Sequence, residues 1–183
     1  MAWIVVDVEA DGPCPALYSM ISFGAVIVEP GLSRTFKGLT APVSDQWLPH
    51  VLAISGESRE QHLAYPDPAE TMAAFQAWIR QQCPEGRATF VSDNPAFDWQ
   101  FINYYFHRFV GDNPFGFSAR RIGDIFSGWK GDARQVADWK SLRRTRHTHD
   151  PLDDALGNAE ALLAMREQGL KLPLGLDAEG RAR

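Results

Sequence analysis

Short apolar runs separated by turn-forming residues occupy the first part of the chain. Apolar, mostly β-branched residues dominate WIVVDVE, which begins at Trp3, and MISFGAVIV, from Met20 to Val28. A loop rich in proline and glycine divides these runs, and Pro30-Gly31 precedes a third extended segment, Ser33 to Pro42. The pattern predicts three strands, and their short connections favour antiparallel pairing.

From Glu70 the apolar residues recur every three or four positions, which is the spacing of a helix. This pattern predicts a helix that ends before Pro84, followed by a buried strand from Ala88 to Asp93. A second helix is predicted after Pro95. The apolar positions are Met72, Phe75, Trp78 and Ile79 in the first helix and Phe97, Phe101, Tyr105 and Phe109 in the second.

The remaining segments are less regular. Residues 43 to 69 contain several prolines and are expected to be irregular, and a helix is expected near Ala133 to Leu142. Asp150-Pro151 predicts the start of the last helix, because aspartate caps helices and proline suits the first turn. The order of elements describes an α/β domain on a mixed sheet flanked by helices. We expect this domain to cover residues 1–170 and to be followed by a frayed tail, residues 171–183.

The composition is that of an ordinary globular protein, with 45% hydrophobic and 22% charged residues. Cys14 and Cys83 are far apart in the chain, which argues against a disulfide framework. The N-terminal apolar run is too short for a signal sequence or a membrane span, so we expect a cytoplasmic protein without a membrane partner. The net charge of −5 argues mildly against a large nucleic-acid surface but is compatible with a metal-dependent nuclease.

Acidic residues cluster at three predicted element boundaries. Asp7 and Glu9 lie on one face at the end of the first strand, where like charges repel unless something neutralises them. Asp98 lies in SDNPAFD after the fourth predicted strand, and HTHDPLDDA stands at the start of the last helix. A solvated strand end would explain the first pair taken alone, whereas a metal site would explain all three clusters.

The three clusters resemble the motifs of the DEDDh 3′–5′ exonucleases. They are Asp-x-Glu at Asp7 and Glu9, Asn-x-x-x-Asp from Asn94 to Asp98, and His-x-x-x-x-Asp from His149 to Asp154. Their order and spacing are similar to those of the family from about residue 3 to residue 168. The resemblance implies a ribonuclease H-like fold, as in oligoribonuclease, ribonuclease T and the proofreading exonucleases.

The resemblance also implies the roles of the motif residues. It makes Asp7, Glu9, Asp98 and Asp154 the metal ligands and His149 the general base. Four carboxylates can share a pocket only if cations neutralise them, and hard oxygen ligands favour Mg²⁺ or Mn²⁺. Two such ions are the usual apparatus of in-line phosphodiester displacement, and a histidine titrates in the range suited to accept the proton of the attacking water.

Two neighbouring residues compete with residues of the third motif. Helix phase does not distinguish Asp153 from Asp154, and the family spacing from His149 selects Asp154. His147 has no aspartate at that spacing, so we assign it to the surface.

The chain departs from the family beside the first motif. Ala10, Asp11 and Gly12 stand where Thr-Thr-Gly is common and where the family contacts the terminal nucleotide, so we expect backbone amides to take that role. Asp11 can alternatively serve as a turn residue. The segment Ala53 to Leu63 is similar to a family segment without having its pattern, and Pro151 replaces a common alanine.

A basic stretch leads into the third motif. WKSLRRTRHTH, from Trp139 to His149, has four lysines or arginines and no acidic residue. It is either a solvated face or a phosphate-binding rim. Aromatic side chains near the motifs are candidates for base stacking, which tolerates any sequence. The expected substrate contacts, besides residues 10–12, are Asn94, Phe97, Trp99, Arg143, Arg144 and Arg146, with Trp47 as a further stacking candidate.

The expected function is a 3′–5′ exonuclease that acts on single-stranded nucleic acid with a free 3′ end and releases nucleoside 5′-monophosphates. The resemblance favours RNA over DNA, because small stand-alone members of the family often process RNA. One alternative is a nucleic-acid-binding or proofreading subunit that acts mainly on DNA within a larger complex. Another is an inactive scaffold, which would require a lost motif residue. A homodimer is compatible with the sequence.

Overall fold

The computed structural model describes residues 2–84 and 86–173. The strands are β1 Ala2–Ala10, β2 Met20–Ile27, β3 Thr35–Leu39, β4 Ala88–Ser92 and β5 Ala119–Arg121. They form one mixed sheet of five strands in the order β3-β2-β1-β4-β5. β1, β4 and β5 are parallel, whereas β2 pairs antiparallel with both β1 and β3.

Helices cover both faces of the sheet. The α-helices are α1 Pro49–Leu52, α2 Arg59–Leu63, α3 Pro68–Gln82, α4 Pro95–Phe109, α5 Ile122–Lys130 and α6 Pro151–Glu167, and two 3₁₀ helices span Ala53–Ser55 and Asp138–Leu142. α3 and α4 pack on one face with Ile4 and Val6 of β1. α5 and α6 pack on the other face with Trp3 and Val5. The alternation of side chains along β1 therefore supplies both cores.

The start of α6 lies directly against the sheet. Asp150 caps this helix by accepting a hydrogen bond from Leu152 N, and Pro151 occupies the first turn. Gly24 of β2 lies beneath that turn, because a Cβ atom there would be 2.3 Å from Pro151 O. Gly24 is also the register partner of Asp7 on β1. The glycine therefore allows the first turn of α6 to lie close to the strand pair that carries Asp7.

The expected α/β class with a mixed sheet is confirmed, as are the elements built around apolar runs. The prediction that residues 43 to 69 are irregular is wrong in part, because α1 and α2 lie there, and α2 begins with a capping box between Ser58 and Gln61. α3 begins at Pro68 and not at Glu70, since the Asp67 side chain caps it by accepting from a backbone N–H.

β5 and α5 are absent from the sequence prediction. β5 has three residues, Ala-Arg-Arg, and offers no apolar run to detect. α5 does carry apolar residues at helical spacing, which pack against the second core, but two glycines weaken the pattern. The helix expected near Ala133 to Leu142 is only the 3₁₀ helix Asp138–Leu142.

The end of the described chain packs against the second core, where Leu172 is buried. The predicted fraying of residues 171–183 falls mainly on residues 174–183, which lie outside the described residues. None of the helices within the described ranges is long and apolar enough to cross a bilayer.

Candidate active site

Three carboxylates meet where β1 ends. Asp7 and Glu9 alternate along the strand with Val6 and Val8, which enter the first core, so the two acidic side chains point towards α6. Asp154 lies in the first turn of α6. One carboxylate oxygen from each of Asp7, Glu9 and Asp154 lies within 4.8 Å of the other two.

Asp98 joins this group from the neighbouring strand end. The parallel strands β1 and β4 end at the same edge of the sheet, and α4 begins directly after β4. Asp98, in the first turn of α4, is buried, and its Oδ1 accepts a hydrogen bond from Val8 N at 3.2 Å. This bond ties α4 to β1 and holds the Asp98 carboxylate near enough to Asp7 for their charges to repel.

Asp154 is fully buried and accepts hydrogen bonds from the turn before α6. Thr148 N donates to Oδ1 at 3.2 Å, and His149 N donates to Oδ2 at 3.0 Å. His149 has a φ of 62°, and these bonds stabilise a turn whose left-handed conformation is otherwise unfavourable. Asp153 instead accepts from the Thr148 hydroxyl. The fold thus brings Asp154, and not Asp153, into the acidic group.

Both histidines of this turn face the acidic group. His149 Nδ1 lies 3.6 Å from Glu9 Oε1, and 43% of the His149 side chain is exposed. His147, which the sequence assigned to the surface, is 55% exposed, yet its Nδ1 lies 2.7 Å from Asp154 Oδ2. The two rings are in contact, with centroids 4.3 Å apart. The spacing of the third motif did not predict this position of His147. The turn directs both rings towards the acidic group, with His149 beside Glu9 and His147 beside Asp154.

Arg143 differs in its surroundings from the other arginines of the basic stretch. Its Nη2 donates to Asp154 Oδ1 at 2.9 Å, and only 11% of its side chain is exposed. Gly157 of α6 makes room for it, since a Cβ atom there would be 2.5 Å from Arg143 Nε. The expected phosphate contact by Arg143 does not fit this burial. Arg144 and Arg146 are exposed, as a phosphate-binding rim requires.

Burial and mutual repulsion raise the pKa values of three carboxyl groups. Burial, and then the charges of Asp98 and Asp154, raise the pKa of Asp7 well above its usual value. Burial, and then the charges of Asp154 and Asp98, raise the pKa of Glu9 to about 8. Burial raises the pKa of Asp98 to about 7, although hydrogen bonds favour its ionised form. The Arg143 guanidinium group, which lowers the pKa of Asp7, therefore offsets only part of the negative charge of the ionised cluster.

The donor set fits divalent metal ions. The three clustered carboxylates offer hard oxygen ligands within 4.8 Å of one another, with Asp98 beside them. A cation would stabilise the ionised forms that burial disfavours, and Mg²⁺ and Mn²⁺ prefer oxygen ligands. His147, His149 and Asp154 form a second grouping of possible ligand atoms. Both groupings contain Asp154, so they describe one site.

Two clefts open onto this site. We name the first, of about 260 Å³, the acidic cleft; its lining comprises Asp7, Val8, Glu9, Ala10, Val51, Ile54, Asp93, Asn94, Phe97, Asp98, His147 and His149. We name the second, of about 370 Å³, the basic cleft; its lining comprises Asp7, Asp93, Lys140, Arg143, Arg144, Thr145, Arg146, His147 and Asn158. Val51 and Ile54 give the acidic cleft an apolar wall. Sequence reasoning missed them because they lie in a segment without strong periodicity.

The three residues that follow the first motif are buried and make contacts within the protein. Ala10, Asp11 and Gly12 are buried, and a Cβ atom on Gly12 would lie 2.1 Å from the Tyr18 ring. Asp11 N donates to Ser19 O at 2.9 Å, and Asp11 Oδ1 accepts from Ser19 N at 2.6 Å. The expected nucleotide contact by the Asp11 amide does not fit this arrangement, whereas Ala10 does line the acidic cleft.

The residues expected to contact bases separate into two groups. Phe97 and the exposed Asn94 line the acidic cleft. Trp99 packs in the first core, where its ring meets Phe90 edge-on with centroids 5.1 Å apart. Trp47 is half-buried against the guanidinium group of Arg59. A stacking role therefore fits Phe97 better than either tryptophan.

Comparison with known proteins identifies the family of this chain. Residues 4–162 match the family described as Exonuclease. An Escherichia coli protein named 3′–5′ DNA exonuclease Cap18 is 37% identical over 171 residues, a match that covers 86% of this chain and 88% of that protein.

Solved structures show the same fold at low sequence identity. A structure of 3′-end-specific recognition of histone mRNA stem-loop by 3′-exonuclease aligns with a TM-score of 0.72 and 16% identity, over 100% of this chain and 89% of that one. The zinc-bound E. coli ExoI–ssDNA complex aligns with a TM-score of 0.66 and 18% identity, over 92% of this chain but only 41% of that one. The chain belongs to the exonuclease family and is a 3′–5′ exonuclease of the DEDD group.

Proposed function

We propose that the protein hydrolyses single-stranded nucleic acid from a free 3′ end to nucleoside 5′-monophosphates in a reaction that depends on two metal ions. The observation that carries this proposal is the meeting of Asp7, Glu9 and Asp154 oxygens within 4.8 Å, with Asp98 beside them. A site so rich in buried carboxylates needs cations, and divalent ions in such sites promote phosphodiester hydrolysis.

The four carboxylates are the proposed ligands of two Mg²⁺ ions, for which Mn²⁺ can substitute. Bound there, the ions would activate the attacking water and stabilise the leaving 3′-oxygen. Backbone N–H groups hold Asp98 and Asp154 in place, so two of the proposed ligands are oriented by the fold itself. Such preorganisation is what a metal-dependent reaction requires of the protein.

His149 is the proposed general base. Its ring lines the acidic cleft beside Glu9 and is partly open to solvent, so it can accept a proton from water and release it. His147 is the second candidate. Its Nδ1 already contacts Asp154 at 2.7 Å, which leaves it less free to accept a proton from the attacking water.

The two clefts suggest how a strand lies on the protein. Val51, Ile54 and Phe97 offer the acidic cleft apolar surface on which terminal bases can stack. Arg144 and Arg146 are exposed along the basic cleft and are placed to contact phosphates. Arg143 also lines the basic cleft, but its pairing with Asp154 makes it the weaker candidate for that role.

We propose DNA as the preferred substrate, a change from the RNA expected on the basis of the family resemblance. The 37% identical relative is named a DNA exonuclease, whereas the neighbour that recognises histone mRNA is only 16% identical. Apolar stacking surfaces do not by themselves distinguish ribose from deoxyribose, so a preference rather than exclusion is expected. The expected homodimer and cytoplasmic location stay predictions.

The test uses the purified protein with 5′-labelled single strands of DNA and RNA of one sequence in Mg²⁺. The proposal expects ladders that shorten from the 3′ end, faster for DNA, and none in the presence of EDTA. Cleavage of a circular single strand at a comparable rate would identify an endonuclease. No cleavage by the isolated protein would favour the alternative of a subunit that works within a complex.

A further inference from the structure

Arg59 of α2 connects four separate positions beside the acidic cleft. Its Nη1 donates to Asp11 Oδ2 at 2.8 Å, and its Nη2 donates to Ser44 O at 2.9 Å. The guanidinium group lies over the Trp47 ring, and Nη1 is 3.3 Å from His62 Nδ1. Only 17% of the Arg59 side chain is exposed, and the Asp11 side chain is fully buried. This is a buried ion pair with further hydrogen bonds, and not a surface contact.

His62 takes part in this network as a neutral acceptor. Its Nε2 lies 3.3 Å from Met20 O, which can only accept, so Nε2 carries the ring hydrogen. Nδ1 is then free to accept a hydrogen bond from Arg59. Burial lowers the pKa of His62 to about 4, so the ring adds no second positive charge beside the guanidinium group.

Asp11 joins the network to the strand that carries two of the proposed metal ligands. It follows β1 directly, and its carboxylate also accepts from Ser19 N. Its carbonyl oxygen accepts from Leu48 N at 2.9 Å. Two contacts, Arg59 to Ser44 and Asp11 to Leu48, therefore fasten the segment of residues 44–55 to the end of β1.

The segment of residues 44–55 forms the apolar wall of the acidic cleft through Val51 and Ile54. Its regular structure consists of α1, with four residues, and a 3₁₀ helix of three residues. Helices of that length are not stable on their own. The position of the wall relative to the carboxylates consequently depends on contacts such as those of Arg59.

We propose that Arg59 is a positioning residue. It sets the distance between the Val51–Ile54 wall and the carboxylates, and this distance determines how the terminal nucleobase of a single strand fits between them. This inference rests on the proposed function and deepens it. It also accounts for two differences from the family sequence that occur together. A carboxylate replaces a hydroxyl residue at Asp11, and the segment Ala53 to Leu63 supplies the cation that this buried charge requires.

Four variants separate positioning from simple stability. Arg59→Met removes the charge and the hydrogen bonds, whereas Arg59→Lys keeps the charge but cannot reproduce the planar fork that reaches both Asp11 and Ser44. The double variant Asp11→Asn/Arg59→Met removes both buried charges and remains informative if the single methionine variant fails to fold. Arg80→Met is the control, because Arg80 is an ion-paired arginine on α3 with 62% of its side chain exposed.

The measurements are KM and kcat on a 5′-labelled oligodeoxythymidylate, the Mg²⁺-induced rise in Tm, and hydrogen exchange of the amides of residues 44–55. A positioning role predicts that KM rises about tenfold in Arg59→Met and in the double variant, with kcat within about threefold of wild type. KM in Arg59→Lys should be intermediate. The Mg²⁺-induced rise in Tm should be retained, and exchange of the segment should be faster in both methionine variants.

An unchanged KM in folded Arg59→Met would overturn the inference. A return of both KM and stability to the wild-type values in the double variant would also overturn it, because the rise in KM would then come from lost stability and not from lost positioning. If the wild-type protein does not shorten the strand, the proposed function fails instead. Hydrogen exchange then decides the inference by itself, because equal protection of residues 44–55 in all variants would show that Arg59 does not hold the segment.

Discussion

Gly24 of β2 lies against the carbonyl oxygen of Pro151, with room for a hydrogen atom but not for a methyl group. Gly24 is paired with Asp7 across β1 and β2, and Pro151 begins the helix that carries Asp154. The absence of a side chain at Gly24 therefore allows the two halves of the acidic site to approach each other closely.

Replacing Gly24 with alanine should move the start of α6 away from the sheet. We expect Gly24→Ala to lower the free energy of unfolding by about 1–3 kcal/mol, the usual cost of overpacking. Cleavage should slow by roughly tenfold or more, since a shift of about 1 Å in a catalytic group can cost about 10²-fold. Denaturant unfolding and single-turnover rates measure the two effects.

Gly128→Ala is the matched control for Gly24→Ala. Gly128 lies in α5, and a Cβ atom there would meet nothing within 4 Å. Alanine favours a helix over glycine by about 1 kcal/mol, so this variant should be neutral or slightly stabilising. Equal activity of Gly24→Ala and wild type would show that α6 tolerates a shift and that the contact does not set the site.

The parts of this site that follow from sequence are those fixed by local structure. Asp7 and Glu9 share a strand face, and Asp98 and Asp154 occupy the first turns of helices whose starts proline marks. Local patterns therefore placed acidic residues at these element boundaries, and the resemblance to the family implied which of them are the ligands. Local patterns also predicted that the first three strands would be neighbours in the sheet.

Contacts between distant segments did not follow from the sequence. Arg59 and Asp11 are separated by 48 positions, and nothing in either segment marks them as partners. The sequence predicted that Arg143 contacts phosphate. Its pairing with Asp154 was not predictable, because the space that Gly157 leaves for the guanidinium group exists only once the turn folds onto α6. Such pairings depend on tertiary packing, which periodicity does not encode.

Neutralising one carboxylate of the acidic group should abolish cleavage without unfolding the protein. Asp98→Asn removes a charge that raises the pKa values of Asp7 and Glu9, and Asp7→Asn removes a carboxyl group whose own pKa is raised by burial and by neighbouring charges. The metal-free variants should therefore be as stable as wild type or more so. Both should lose most of the Mg²⁺-induced rise in Tm, which calorimetry measures. Asp124→Asn, at an exposed position of α5, is the control and should behave as wild type. Full activity in either site variant would remove that residue from the proposed ligands.

The two histidines of the turn before α6 can be separated by their effects on turnover. General-base assistance is worth about 10²–10⁴-fold, so His149→Ala should cut turnover by that order while Mg²⁺ still raises Tm. His147→Ala should cost much less, although its contact with Asp154 will make the loss measurable. The pH–rate profile supplies a second criterion, because a rising limb that reports the general base should vanish only in His149→Ala. If turnover falls severely in His147→Ala and only slightly in His149→Ala, then His147 and not His149 is the general base.

The stability of the metal-free protein should fall as pH rises from about 6.5 to about 8. Burial and neighbouring charges raise the pKa of Glu9 to about 8 and that of Asp98 to about 7, whereas both groups ionise near pH 4 in the unfolded chain. Burial lowers the pKa of His62 to about 4, so this residue opposes the trend below about pH 6.5, the ordinary histidine pKa, and is neutral in both states above it. Above that pH the two carboxyl groups hold more protons in the folded protein than in the unfolded chain, so each step up in pH favours unfolding. The full loss should be a few kcal/mol, or roughly 5–10 °C in Tm.

Thermal unfolding in EDTA across this pH range measures that decline, and Glu9→Gln tests its origin. The variant lacks one of the groups with a raised pKa, so its curve should be flatter than that of wild type. With saturating Mg²⁺ the decline should disappear, because the metal ions keep the carboxylates ionised throughout the range. A metal-free Tm that is constant or rises with pH, with no difference between Glu9→Gln and wild type, would show that the acidic cluster is not strained by its charges.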